Sequence, residues 1–90
     1  MNLKDVRKKL DLTQVTAARI AGVNSITWSR WELGKAKPLP RSAAIVALMD
    51  RAAQVDPCHL AADVLNATQA HISACPRCQV ARIGAINRGL

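Results

Sequence analysis

The stretch that decides the fold is Thr13–Gly34, TQVTAARIAGVNSITWSRWELG. It predicts two short helices joined by a tight turn at Gly22, because a glycine just past a helix readily takes the left-handed conformation. Thr13 and Asn24 precede these helices, and both are good N-caps, since their side chains accept hydrogen bonds from free backbone N–H groups. A helix, a glycine turn and a capped helix within about twenty residues are typical of a helix-turn-helix.

The second of these helices, predicted over residues 25–33, separates its apolar and polar side chains. Trp28 and Trp31 lie at positions i and i+3; they could stack on nucleic-acid bases, but such a pair more often belongs to the core. With the tryptophans buried, the opposite face presents short polar side chains, one isoleucine and one arginine, which are side chains suited to base edges in the major groove of DNA. These residues are Ser25, Ile26, Ser29 and Arg30.

The rest of the chain also favours helices, which predicts the all-α class. Alanine is abundant, Phe and Tyr are absent, and no alternating apolar run suggests a strand. Helices are predicted over residues 2–10, 42–54 and 56–66. We therefore expect a helix-turn-helix domain over residues 1–66 and a C-terminal extension over residues 67–90, in which a helix beginning at Pro76 could dock on the domain or pair with a second copy.

The charge is high and uneven. The formal net charge is +7, and residues 1–41 hold nine Lys/Arg against three Asp/Glu. Such an excess favours a polyanionic partner, although it could also serve solubility. The basic face of the first helix is expected to be mostly solvated. The loop GKAKPLPR carries Lys35, Lys37 and Arg41 just beyond the predicted second helix, where they would lie over the phosphate backbone of docked DNA.

The composition also excludes several classes of protein. No apolar run approaches the ~20 residues that span a membrane, and the charged N-terminus is unlike a secretory signal. We therefore expect a cytoplasmic protein. No catalytic constellation is visible, so we expect no enzyme activity, and a thiol enzyme is the weakest alternative.

Cys75 and Cys78 form a CxxC pair, for which two interpretations remain open. Small buried thiols, with no cofactor or metal, are the first interpretation. A structural zinc site is the alternative, in which Cys58 and either His59 or His71 complete the four ligands that zinc needs. A redox role would require a βαβ context, which is missing.

Four motifs of the central stretch resemble those of Cro/CI-type helix-turn-helix domains, the XRE family: Thr13–Gln14, Ala17–Ala18, Gly22–Val23 and the WSRWELG that ends at Gly34. The resemblance covers roughly residues 3–54 and implies a five-helix, lambda-repressor-like fold. The family has larger residues at Ala17 and Ala21 and a smaller one at Trp28, which suggests an exchange of core volume.

The resemblance also implies roles for single residues. Ser25, Ile26, Ser29 and Arg30 match positions that face bases, and Thr27 matches a position near the backbone. Gln14 is similar to a glutamine that bonds a phosphate and supports the recognition helix. Glu32 is similar to a structural acid near the end of that helix.

Two functions follow as expectations. The first is a sequence-specific regulator of transcription, a homodimeric repressor on a palindromic double-stranded DNA operator, of which a phage anti-CRISPR-associated repressor is a narrower version. The second is an antitoxin or adaptor that binds a protein partner through residues 55–90 and regulates its own operon.

Overall fold

The structure, a computed structural model, describes residues 2–88; Met1 and the last two residues of the predicted extension, Gly89 and Leu90, lie outside the described residues. No strand occurs within residues 2–88, so the predicted all-α class is confirmed. The helical elements are α1 Leu3–Lys9, α2 Gln14–Ala21, α3 Ser25–Glu32, α4 Pro40–Ala53, a 3₁₀ segment His59–Asn66, α5 Gln69–Ala74 and α6 Pro76–Arg88.

The predicted caps are present at the starts of α2 and α3. The Oγ1 atom of Thr13 accepts from the backbone N–H of Thr16 at 3.1 Å, and the Oδ1 atom of Asn24 accepts from that of Thr27 at 2.8 Å. Gly22 ends α2 with a φ of 76°, in the left-handed region that favours glycine. The helices and the turn predicted from the central stretch are therefore confirmed.

The main core lies between α1, α2, α3 and α4. Trp28 is fully buried and Trp31 is 7% exposed, with ring centroids 5.7 Å apart, which confirms both tryptophans as core residues. Ala17 and Ala21 are buried in the same cluster as Trp28. Large and small side chains thus share one packed volume, as the proposed exchange requires.

Helix α6 also packs against this core. Val80 is buried in the main cluster and Ile83 packs against it, whereas Ile86 is 52% exposed. Gly84 is buried, and a Cβ atom at this position would lie 3.4 Å from Ile20, so α6 approaches α2 closely. Of these three apolar residues of α6, Val80 and Ile83 therefore pack in the main core, and Ile86 remains exposed.

The segment after α4 differs from the prediction. An α-helix was expected over residues 56–66, but a 3₁₀ segment begins at His59 and is kinked at Asp63. The physical reason is packing: Cys58, Ala61, Val64 and Ala67 all pack in a second, smaller core with α5 and α6, and a regular α-helix would not turn residues at every third position toward the same core.

Candidate nucleic-acid interface and cysteine–histidine cluster

Helix α3 turns its tryptophans inward and its polar face outward. Ile26 is 65% exposed and Arg30 is exposed, while Ser25 and Ser29 are half-buried. Ile26 therefore lies on the surface. Within residues 2–88, the side chains of Ser25, Ser29 and Arg30 make no hydrogen bond or ion pair, so their donors and acceptors are available to a ligand.

Three exposed cations follow α3 along the chain. Lys35 and Lys37 lie in the connection to α4, and neither has an acidic partner in the described part of the chain. Arg41, predicted as a loop residue, instead lies in the first turn of α4. The reason is Pro40, whose fixed φ suits the first position of a helix. In sequence, the three cations thus follow α3, in the connection to α4 and in the first turn of α4.

Glu32, at the end of α3, holds three helices together. Its carboxylate accepts from Arg7 Nε at 2.7 Å and from Arg7 Nη2 at 3.3 Å. It also accepts from the Nε2 atom of Gln14 at 3.2 Å and from the indole N–H of Trp28. The side chains of Arg7 and Glu32 are only 15% and 5% exposed. The expected structural role of Glu32 is therefore confirmed.

Arg7 is the exception on the basic face of α1, whose Lys4, Lys8 and Lys9 are exposed as expected. Its guanidinium pairs with Glu32, and its Nη1 atom also donates to the backbone oxygen of Leu12 at 3.1 Å. The signal was in the sequence: Arg7 lies four residues after Leu3 and three before Leu10, so it borders the apolar face of the helix.

Gln14 braces α2 against α3 through its bond to Glu32, and its side chain is half-buried. This hydrogen bond is how Gln14 supports α3, the role that the resemblance implied for it. The phosphate contact of Gln14 and the backbone contact of the half-buried Thr27 stay predictions.

The environment of Glu32 sets its charge state. Burial by itself raises the pKa of Glu32, but the hydrogen bonds from Arg7, Trp28 and Gln14, together with the positive charge of Arg7, outweigh burial. The pKa of Glu32 therefore lies below its ordinary value of 4.5. The carboxylate remains ionised at neutral pH, where it can accept hydrogen bonds from all three residues.

A second cluster lies where the 3₁₀ segment, α5 and α6 meet. The sulfur atoms of Cys58, Cys75 and Cys78 and a ring nitrogen of His71 lie within 4.8 Å of one another, so the four side chains could bind a metal ion. His59, the other candidate from the sequence, is exposed and is not part of the cluster. The stretch from His71 to Cys78, HISACPRC, already carried three of the four residues at short spacing.

The atoms of the cluster are close and partly buried. Nε2 of His71 lies 3.5 Å from the sulfur of Cys58 and 3.2 Å from that of Cys78, and these two sulfurs are 3.7 Å apart. A hydrogen bond from the backbone N–H of Cys78 lowers the pKa of Cys75. Burial raises the pKa of Cys78 to about 12 in the absence of a metal.

Comparison with known proteins gives one similarity of limited extent. The chain is similar to the type II methyltransferase M.MspI of Moraxella sp, with 50% identity over 38 residues. These residues are 42% of this chain and 9% of the methyltransferase, so the chain spans a small fraction of that protein's length. No protein-family model matches the chain, and no solved structure matches it. Within residues 2–88, no helix is both long enough and apolar enough to cross a bilayer.

Proposed function

We propose that this chain is a sequence-specific double-stranded DNA-binding regulator of transcription with a Cro/CI-type helix-turn-helix fold. The observation that carries the proposal is the construction of α3. Two buried tryptophans and the hydrogen bonds of Glu32 hold the inner face of α3 in the core. Its outer face carries Arg30 and serine hydroxyls that have no hydrogen-bond partner among residues 2–88. A rigid helix with such a face is suited to the major groove of DNA.

Base contacts in this proposal come from the exposed face of α3. Arg30 would bind a guanine through two parallel N–H donors. Ser25 and Ser29 would donate to or accept from base edges, and Ile26 would contact a thymine methyl group. The side chain of Ile26 is 65% exposed, so it is free to make this contact. The residues assigned to the phosphate backbone are Gln14, Thr27, Lys35, Lys37 and Arg41.

The operator would be symmetric. A homodimer would place its two copies of α3 in successive major grooves, on half-sites about one helical turn, ~34 Å, apart. Binding over a promoter would block transcription without any catalysis. The segment shared with the methyltransferase is 9% of that protein, so we propose no methyl transfer for this chain.

The experiment is selection of bound duplexes from a random DNA library by the purified protein. We expect an enriched motif with two inverted half-sites. The same selection with Arg30→Ala should lose information at one position of each half-site, which links the motif to α3. A library that remains random after repeated rounds would refute sequence-specific binding.

The second candidate function is an antitoxin or adaptor that binds a protein through residues 55–90. Leu60, Leu65 and Ile86 are 39%, 69% and 52% exposed, and a protein partner bound to this part of the chain would cover them. Co-expression with the product of the adjacent reading frame tests it. A stable complex that Leu65→Asp disrupts would support this function, whereas two separate proteins on size exclusion would refute it.

A further inference from the structure

We propose that Cys58, His71, Cys75 and Cys78 bind one structural zinc ion, which fastens the C-terminal third of the chain to the helix-turn-helix. The site is independent of the proposed DNA-binding function. Its ligands lie in three different places: before the 3₁₀ segment, on α5, and at the start of α6.

The distances match a tetrahedral zinc site. Zinc bonds sulfur at about 2.3 Å and histidine nitrogen at about 2.0–2.1 Å, so in a tetrahedron two sulfurs lie about 3.8 Å apart and a sulfur and a nitrogen about 3.5 Å apart. The separations among three of the ligands agree with these values: 3.7 Å between the sulfurs of Cys58 and Cys78, and 3.5 and 3.2 Å from these sulfurs to Nε2 of His71. The sulfur of Cys75 lies within 4.8 Å of the others, so it would move closer as it became the fourth ligand.

A cluster of buried thiols alone explains this arrangement less well. Nε2 of a neutral imidazole has either one lone pair or one N–H, so it cannot form good hydrogen bonds to two sulfurs at once. A cation between the four atoms satisfies all of them together. Three thiolates and one imidazole are soft ligands that favour zinc over magnesium or calcium, and four protein ligands close the site, as in structural rather than catalytic zinc centres.

The 3₁₀ segment and α5 pack in only a small apolar core. Helix α5 has six residues, which is short for a helix to be stable without tertiary contacts. The second core contains three buried residues, and one of them is the proposed ligand Cys78. A metal that crosslinks these elements would supply the stability that apolar burial does not.

The site also connects to the N-terminal half. Arg77, inside the CxxC pair, donates through Nη2 and Nε to the backbone oxygen of Val55 at 3.0 and 3.3 Å, and through Nη1 to that of Lys9 at 3.3 Å. Two residues after Cys78, Val80 enters the main core. The zinc ion would therefore fix the start of α6, and α6 covers α2 and α4.

The test is metal analysis of the full chain, purified without chelator or added metal under reducing conditions. We expect about one zinc ion per chain. We also expect Co²⁺ to replace zinc and to give the visible absorption bands of a tetrahedral cobalt–thiolate centre. His71→Ala and Cys78→Ser should lose the metal and these bands. The matched control His59→Ala, which removes the exposed histidine, should keep both.

Unfolding gives a second readout. A chelator should lower the Tm of the wild type and of His59→Ala and leave that of His71→Ala unchanged. Wild-type protein that contains no zinc and gives no tetrahedral cobalt spectrum after thiol reduction would overturn the proposal, as would iron in place of zinc. All of these measurements use protein without DNA, so their failure is distinguishable from a failure to bind an operator.

Discussion

At the residue scale, Glu32 is the point at which the first three helices meet. Its two oxygens accept from Arg7, Gln14 and Trp28, which lie on α1, α2 and α3. A carboxylate so nearly buried must be paired, because an unpaired buried charge is costly. One side chain thus sets the position of α3 relative to both helices that brace it.

Glu32→Gln tests this role. The amide oxygen cannot accept from all four N–H groups that bond Glu32, and the substitution removes the ion pair, so we expect the free energy of unfolding to fall by about 2–3 kcal/mol. Urea denaturation followed by tryptophan fluorescence measures it. The control Asp56→Asn removes an exposed acid and should change stability by less than about 0.5 kcal/mol. Equal stability of Glu32→Gln and the wild type would mean that the network is not needed for folding.

The lowered pKa of Glu32 makes part of this stability depend on pH. The pKa in the folded state is below the ordinary 4.5 of the unfolded chain, so the contribution is complete above pH 4.5 and is lost as the pH falls through the folded-state value. We expect the stability difference between wild type and Glu32→Gln to be constant near neutral pH and to shrink in acid. Urea titrations over a pH series measure it, and a difference that grows in acid would contradict the assignment.

Arg30 allows a direct test of the proposed base contacts. If Arg30 contacts a guanine, Arg30→Ala should weaken binding to the selected operator by about 1–3 kcal/mol and relax the preference at one base pair of each half-site. Binding assays on single-base operator variants measure both effects. Folding should be unaffected, because Arg30 is exposed and its guanidinium makes no hydrogen bond or ion pair within residues 2–88. Unchanged affinity and specificity would refute the docking of α3.

At the scale of elements, Gly84 lies where α6 contacts α2. A Cβ atom there would lie 3.4 and 3.5 Å from Ile20 Cγ1 and Cδ1, which is ordinary van der Waals contact. Since alanine is a better helix residue than glycine, we expect Gly84→Ala to raise stability by about 0.5–1 kcal/mol.

The matched change at Gly22 should have the opposite sign. Nothing lies within 4 Å of a Cβ atom there, but the φ of 76° is strained for alanine, so Gly22→Ala should cost about 1 kcal/mol. Urea denaturation of the two variants side by side measures the contrast. Destabilisation by Gly84→Ala would mean that α6 cannot accept even a methyl group beside Ile20.

At the scale of the whole molecule, the net charge of +7 should govern non-specific attraction to DNA. Lys35 is exposed beside α3, so Lys35→Ala should weaken binding similarly on all sequences and reduce the salt slope by about one. Affinity measured over a salt series tests this. Arg51→Ala removes one exposed cation from α4 and should leave the slope unchanged; equal effects of the two variants would indicate a response to net charge alone.

The sequence by itself determined the all-α class, the caps at Thr13 and Asn24, the turn at Gly22 and the inward face of the tryptophans. These features depend on local backbone conformation and on helical periodicity, which short stretches of sequence contain. The same periodicity placed Ser25, Ile26 and Arg30 on the opposite face of α3, since one face of a helix implies the other.

Only the tertiary structure decided the features that join distant residues. The pairing of Arg7 with Glu32 spans 25 positions. Helical spacing places Arg7 at the border of the apolar face of α1, but it does not identify the acid with which Arg7 pairs. The choice of His71 over His59 beside the cysteines, and the 3₁₀ rather than α-helical path between Cys58 and Val64, follow from how α5 and α6 pack. Such packing depends on the whole fold, because each element buries the face that its neighbours leave open.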